Sequence, residues 1–155
     1  MHWIFIAFLG ASLLHMAEEF LYPGGFLRFA RRLNPRFAPH LTVPSAIVIN
    51  SLQLLLCLLV IRAGTSQLVF SMSLAALLFI NALLHIAGCL RVKGYAPGVV
   101  TGVLLYLPLS TYAFFTAIAS HQFSLRGAVA SAALGLAYQA VPIAYVALSS
   151  MVHPC

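Results

Sequence analysis

Glu18 and Glu19 are the only acidic residues in this chain, and they follow His15 by three and four positions in the stretch HMAEEF. On a helix, at about 100° per residue, they fall about 60° to one side of the imidazole and about 40° to the other. All three donors therefore share one stripe, and Phe8, Ala11 and Ser12 continue it as a face of mostly small residues. A second pair, Asn81 and His85, lies four apart and shares a helical face in the same way. Imidazoles and carboxylates are the side chains that bind divalent metals and pass protons near neutral pH. Two carboxylates cancel the charge of M²⁺, and two neutral imidazoles complete a nitrogen-and-oxygen shell suited to zinc or iron. A set of two histidines and one carboxylate with open positions is the pattern of non-haem iron oxygenases. The expected metal ligands are thus His15, Glu18, Glu19 and His85, with a glutamate left over, Glu18 or Glu19, as general acid or base. Asn81 or Asn50 can orient a ligand from behind.

The rest of the chain says what must position these groups. Of 155 residues, 63% are hydrophobic and 6% charged, and the mean hydropathy is +1.03. Soluble domains carry about 25% charged residues, so this is a membrane protein. Five apolar runs, approximately 3–20, 43–61, 68–90, 98–120 and 128–150, are each long enough to cross the hydrocarbon as a helix. They are too long for barrel strands and lack alternation, so the expected fold is an all-α bundle of about five transmembrane helices in a single domain, 1–155. Pro108 and Pro142 fall inside spans and are expected to kink them.

Eight Lys and Arg give a formal charge of +6. Arg28, Arg31, Arg32, Arg36, Arg91 and Lys93 fall in the first and third loops, against Arg62 and Arg126 in the second and fourth. This bias places the N-terminus outside and the C-terminus in the cytoplasm. The location expected is an inner, plasma membrane of bacterial type. In a membrane protein this positive excess reads as topology and contact with anionic headgroups, so the expected partners are membrane lipids and an apolar small-molecule substrate, with no nucleic acid, and a homo-oligomer is compatible. The stretch FLRFARRLNPRF reads equally as a segment lying on the headgroups or as a topogenic loop.

In this topology His15, Glu18, Glu19, Asn81 and His85 all fall toward the cytoplasmic ends of their helices. Asn50 lies about seven residues into the second span, ~10 Å deep at 1.5 Å per residue. Tyr95-Ala96-Pro97-Gly98 opens the fourth span on the same side. There Tyr95 can donate a hydrogen bond as a catalytic candidate, and the free N–H groups of the helix start favour an anion. A competing reading keeps the two glutamates at the interface, paired with Arg28 or Arg31. Cys57, Cys89 and Cys155 have no metal-site spacing, although Cys89 is four residues from His85. His2, His40, His121 and His153 lie in loops or near the ends and are expected to be solvated.

With these residues on the page, the chain resembles the HXXEE family of small integral membrane proteins. His15-Met16-Ala17-Glu18-Glu19 matches the first family motif, Asn81-Ala82-Leu83-Leu84-His85 matches NXXXH, and Tyr95-Ala96-Pro97-Gly98 matches YXPG. The three occur in the family's order and span residues 15–98. The resemblance implies an enzymatic role and supplies no substrate. Three functions fit the residues: a metalloenzyme acting on a lipid-like molecule, a metal-free acid/base isomerase of a hydrophobic substrate, and a proton- or metal-coupled transporter.

Overall fold

The computed structural model of the protein describes residues 1–22, 25–35, 41–121 and 123–152. Arg36, His40, His153 and Cys155, named above for loop charge, as solvated histidines and as a cysteine without metal-site spacing, lie outside the described residues. Six helices follow in order: α1 (His2–Leu21), α2 (Gly25–Leu33), α3 (Val43–Ala63), α4 (Leu68–Val92), α5 (Val99–Ala119) and α6 (Leu125–Val152). No strand occurs among the described residues. All but α2 are long and apolar enough to span a bilayer, so the protein is an all-α membrane bundle of five spanning helices.

Helices α1, α3, α4 and α6 extend past the expected apolar runs at one or both ends, because terminal charges and caps belong to the helices, whereas α5 falls one residue inside its run at each end. Arg62 and Arg91 occupy the last turns of α3 and α4, where a cation is favoured by the helix dipole. Helix α6 starts at Leu125 rather than 128, since the Ser124 hydroxyl accepts the Gly127 amide at 3.1 Å and caps the first turn. Thr42 and Ser45 form a reciprocal capping box at the start of α3.

Helix α4 is the centre of the bundle: 56% of its spanning window is buried, against 22% for α3 and 17% for α6. Its Met72, Leu74, Ala75 and Leu78 meet Ile4, Phe5 and Phe8 of α1 and Ala113 and Ala117 of α5 in one core. In a bilayer such packing depends on shape, and small residues allow close approach. A Cβ on Gly135 of α6 would stand 2.6 Å from Cβ of Ala76 and 2.7 Å from the Leu77 nitrogen.

Two departures from regular helix bear on the site. In α5, Gly102–Tyr106 winds as a π turn just before Pro108. The wider turn lies where Pro108 withholds its N–H and crowds the preceding carbonyls. Helix α6 continues through Pro142. The second departure is α2, short and amphipathic, with Phe29 buried and Arg28, Arg31 and Arg32 exposed. Residues Gly25–Leu33 of this segment form a helix that packs against the end of α4.

Candidate metal centre

The HXXEE stripe faces inward: Phe8, Ala11, Ser12, His15 and Glu19 are all buried. Helix α4 brings His85 to the same level, also buried. The His15 and His85 rings meet edge to face with centroids 4.8 Å apart. Oε1 of Glu19 lies 3.3 Å from Nε2 of His85 and 3.7 Å from Nε2 of His15. One donor atom from each of His15, Glu19 and His85 lies within 4.8 Å of the others, the spacing a single cation can bridge.

Their donor capacity is unspent. Nε2 of His15 and Nδ1 of His85 are buried without a hydrogen-bond partner, and a buried polar atom is costly unless something satisfies it. Gly98 of the YXPG stretch presses against both rings: a Cβ there would stand 2.7 Å from Cε1 of His15 and 2.7 Å from Cε1 of His85. Its φ of +95° also lies in the left-handed region that glycine alone enters readily. The residues present therefore fit a divalent ion: two imidazoles, one carboxylate and bare lone pairs, held close by a residue without a side chain.

Glu18 goes elsewhere. Its carboxylate sits on the first turn of α5, accepting the Val100 amide at 3.1 Å, the Thr101 amide at 2.8 Å and the Thr101 hydroxyl at 2.6 Å, together with the Tyr95 phenol. The helix start that favours an anion thus finds one within the chain. Glu18, expected among the metal ligands or as a free acid/base, has its acceptor positions filled by four donors and is not in the converging group. Partial burial, and then the bond to Glu18, push the Tyr95 phenol above the ordinary tyrosine range, which keeps it protonated as the donor. Tyr95 also packs on Tyr22, with centroids 4.6 Å apart.

Glu18 still reaches the buried group through one residue. Thr101 donates its hydroxyl to Glu18, so that hydroxyl can only accept from Nδ1 of His15, 2.8 Å away. His15 therefore carries its proton on Nδ1, and Nε2 presents a lone pair to Glu19 and His85. A carboxylate that orients a ligating histidine is a recurrent support of metal sites; here a threonine stands between the two. Thr101 did not stand out in the sequence. Its signal was a hydroxyl in the first turn of an otherwise apolar helix, three residues after Gly98.

Asn81 places a buried Oδ1 without a partner one turn before His85. Asn50, expected to orient a ligand, donates its amide to the Ala46 carbonyl at 3.0 Å on its own helix. Cys89 accepts the Ala96 amide at 3.2 Å and holds the turn into the YXPG stretch. Among the described residues no arginine reaches ion-pairing distance of either glutamate, so the interfacial pairing with Arg28 or Arg31 is not found. His2 and His121 are exposed.

A polar set that sequence reasoning missed lies against the far side of His15. Gln53 donates to Ser12 at 3.2 Å and to Tyr106 at 3.0 Å, and the buried Tyr106 ring stacks 4.5 Å from the His15 ring. The π turn ends on Tyr106. On the loop side, Phe26 packs 5.8 Å from the His85 ring, and the Phe29 ring fills the space over Gly88. Helix α2 is thus the cover of the site.

A family model described as "Protein of unknown function with HXXEE motif" matches residues 3–113. That span includes every donor just described and ends within α5. No curated protein and no solved structure matches the chain.

Proposed function

The chain belongs to the HXXEE family, and from that premise we propose that it is a membrane-embedded metalloenzyme acting on a lipid-like or apolar small molecule. His15, His85 and Glu19 hold the ion, zinc or iron. The site faces the cytoplasmic leaflet, on the side of Arg28, Arg31, Arg32, Arg91 and Lys93, in a membrane such as the bacterial inner membrane. One observation carries this reading: three buried donors from two helices converge within 4.8 Å while Nε2 of His15 has no hydrogen-bond partner. A bound divalent ion supplies Lewis-acid activation of a substrate or water oxygen.

The chain's own residues do the remainder. Glu18 holds the Thr101 hydroxyl, and Thr101 holds the proton of His15 on Nδ1. Gly98 seats both imidazoles, and Phe26 shields His85 from the loop side. Two histidines and one carboxylate leave coordination positions open for a substrate. The Glu19 carboxylate and the His85 imidazole, 3.3 Å apart, would both be taken up as ligands once an ion is bound.

Elemental analysis of purified protein tests the proposal. We expect about one equivalent of zinc or iron, lost in His15→Ala and in His85→Ala. Protein free of metal after purification without chelators, and unable to bind added Zn²⁺ or Fe²⁺, overturns it. A second reading rests on the same Glu19–His85 contact, in which the pair moves a proton without metal, as in double-bond isomerisation. It predicts catalysis that survives chelation.

A further inference from the structure

Beside the buried group, a cavity of about 280 Å³ opens between α2 and the turn linking α4 to α5, lined by Tyr22, Arg28, Phe29, Arg32, Gly94 and Tyr95 among others. Arg28 and Arg32 lie four apart on α2 and share a face. Their helix is anchored, because Phe26 and Phe29 pack on His85 and Gly88. The chain has eight cationic side chains and two acidic ones. Glu18 is engaged by Tyr95, Val100 and Thr101, and Glu19 faces the imidazoles. Among the described residues neither glutamate lies within ion-pairing distance of Arg28 or Arg32, so the two guanidiniums at the mouth of this cavity have no partner carboxylate there.

We propose that this cavity binds the anionic headgroup, a phosphate or carboxylate, of a single-chain amphiphile, and that this amphiphile is the substrate class of the buried site. The identification as substrate rests on the function proposed above. Guanidiniums take phosphates and carboxylates through paired N–H donors, which suits Arg28 and Arg32 better than a neutral or zwitterionic head. The volume admits a headgroup but not a whole lipid, so the apolar chain lies against the helices. The floor of the cavity is Tyr95, whose phenol donates to Glu18, and Glu18 connects through Thr101 to His15. A headgroup seated there is one residue from the relay that orients the ligating imidazole.

The test is equilibrium binding of dodecyl phosphate to the full chain in a neutral detergent, with dodecylphosphocholine and inorganic phosphate as the comparison probes. We expect dodecyl phosphate to bind stoichiometrically and to be preferred over both. Arg28→Gln together with Arg32→Gln weakens it by at least about tenfold, the loss expected for charge-assisted bonds. Arg62→Gln together with Arg126→Gln, at the other end of the bundle, leaves binding unchanged. Equal loss in both double variants would mean general charge attraction and overturns the site. So does undiminished binding after substitution of Arg28 and Arg32, and equal affinity for inorganic phosphate overturns the amphiphile as the occupant. Metal content measured on the same preparations keeps the two proposals apart. Arg-dependent binding by a chain unable to take up metal overturns only the metalloenzyme, whereas a metal-loaded chain indifferent to dodecyl phosphate overturns only the headgroup site.

Discussion

Glu18 and Glu19 are joined by one peptide bond and sit in opposite circumstances. The Glu18 carboxylate accepts four hydrogen bonds at the start of α5, two from backbone amides, one from a hydroxyl and one from a phenol. Glu19, one step around the helix, faces Nε2 of two imidazoles, of which that of His15 has no hydrogen-bond partner. A carboxylate surrounded by N–H and O–H donors is stabilised as an anion and stays where it is. A carboxylate among neutral lone-pair donors gains little from them unless a cation or a proton joins the group. The difference separates the two residues of the motif: Glu18 ties α1 to α5 and holds the Thr101 hydroxyl that meets His15, whereas Glu19 joins the two imidazoles and is the ligand in the function proposed above.

Isosteric substitution breaks this comparison most directly. Glu19→Gln removes the one anionic ligand, and bound metal is expected to fall to the level of a His15→Ala control in elemental analysis. Glu18→Gln keeps all three ligands and is expected to weaken metal affinity by about 10–100-fold, as loss of a supporting partner does. It should also lower thermal stability by about 1–2 kcal/mol through the weakened cap on α5. Equal metal loss in the two variants, with no difference in stability, would erase the distinction.

Gly98→Ala comes next. The new methyl group would occupy space 2.7 Å from both imidazoles in a backbone conformation with φ of +95°. Strain of this kind costs about 1–3 kcal/mol, and displacement of both rings is expected to weaken metal binding by about tenfold or more. Gly88→Ala is the comparison, since its methyl group would meet the Phe29 ring rather than a ligand. A thermal melt and a metal titration on each variant check the pair. Metal affinity lost equally in both would mean that loosening α2, rather than crowding the imidazoles, is what matters.

Much of this architecture was legible in the chain because a bilayer punishes ambiguity. Apolar runs of about 20 residues have one stable form, and the spacing of His15 to Glu19 and of Asn81 to His85 gave the inward faces before any coordinates. What spacing cannot give is which neighbour each polar atom meets. Both glutamates lie within about 60° of His15, and only the docking of α5 against α1 decides that Glu18 turns to Thr101 and Glu19 to the histidines. The space over Gly88 is filled by Phe29, from a segment that sequence alone left between two roles. Asn50 reads as a site residue by depth, but its amide had a carbonyl one turn back on its own helix. The π turn at Gly102–Tyr106, which ends on the Tyr106 that stacks on His15, left only a glycine and a nearby proline as its trace.

The relay from Glu18 to His15 sharpens the comparison further at smaller expected effects. Thr101→Val keeps the shape of the side chain but cannot accept from Nδ1 of His15, so the fixed tautomer is lost; metal affinity should fall by about tenfold. Thr101→Ser restores the hydroxyl and should recover most of it, a rescue that a purely structural role for the methyl group would not produce.

Tyr95→Phe is the mildest test and the most discriminating about which end of the relay matters. It removes one of four donors to Glu18 and leaves the two amides and the Thr101 hydroxyl in place. Because the remaining three still hold the carboxylate as an anion, His15 keeps its tautomer and metal stoichiometry should be unchanged. Stability should fall by about 0.5–1.5 kcal/mol, the net worth of an ordinary hydrogen bond. Tyr95 also lines the cavity between α2 and the turn into α5. If metal affinity in Tyr95→Phe instead drops as far as in Thr101→Val, then the phenol, and not the helix start, is what keeps Glu18 in its place.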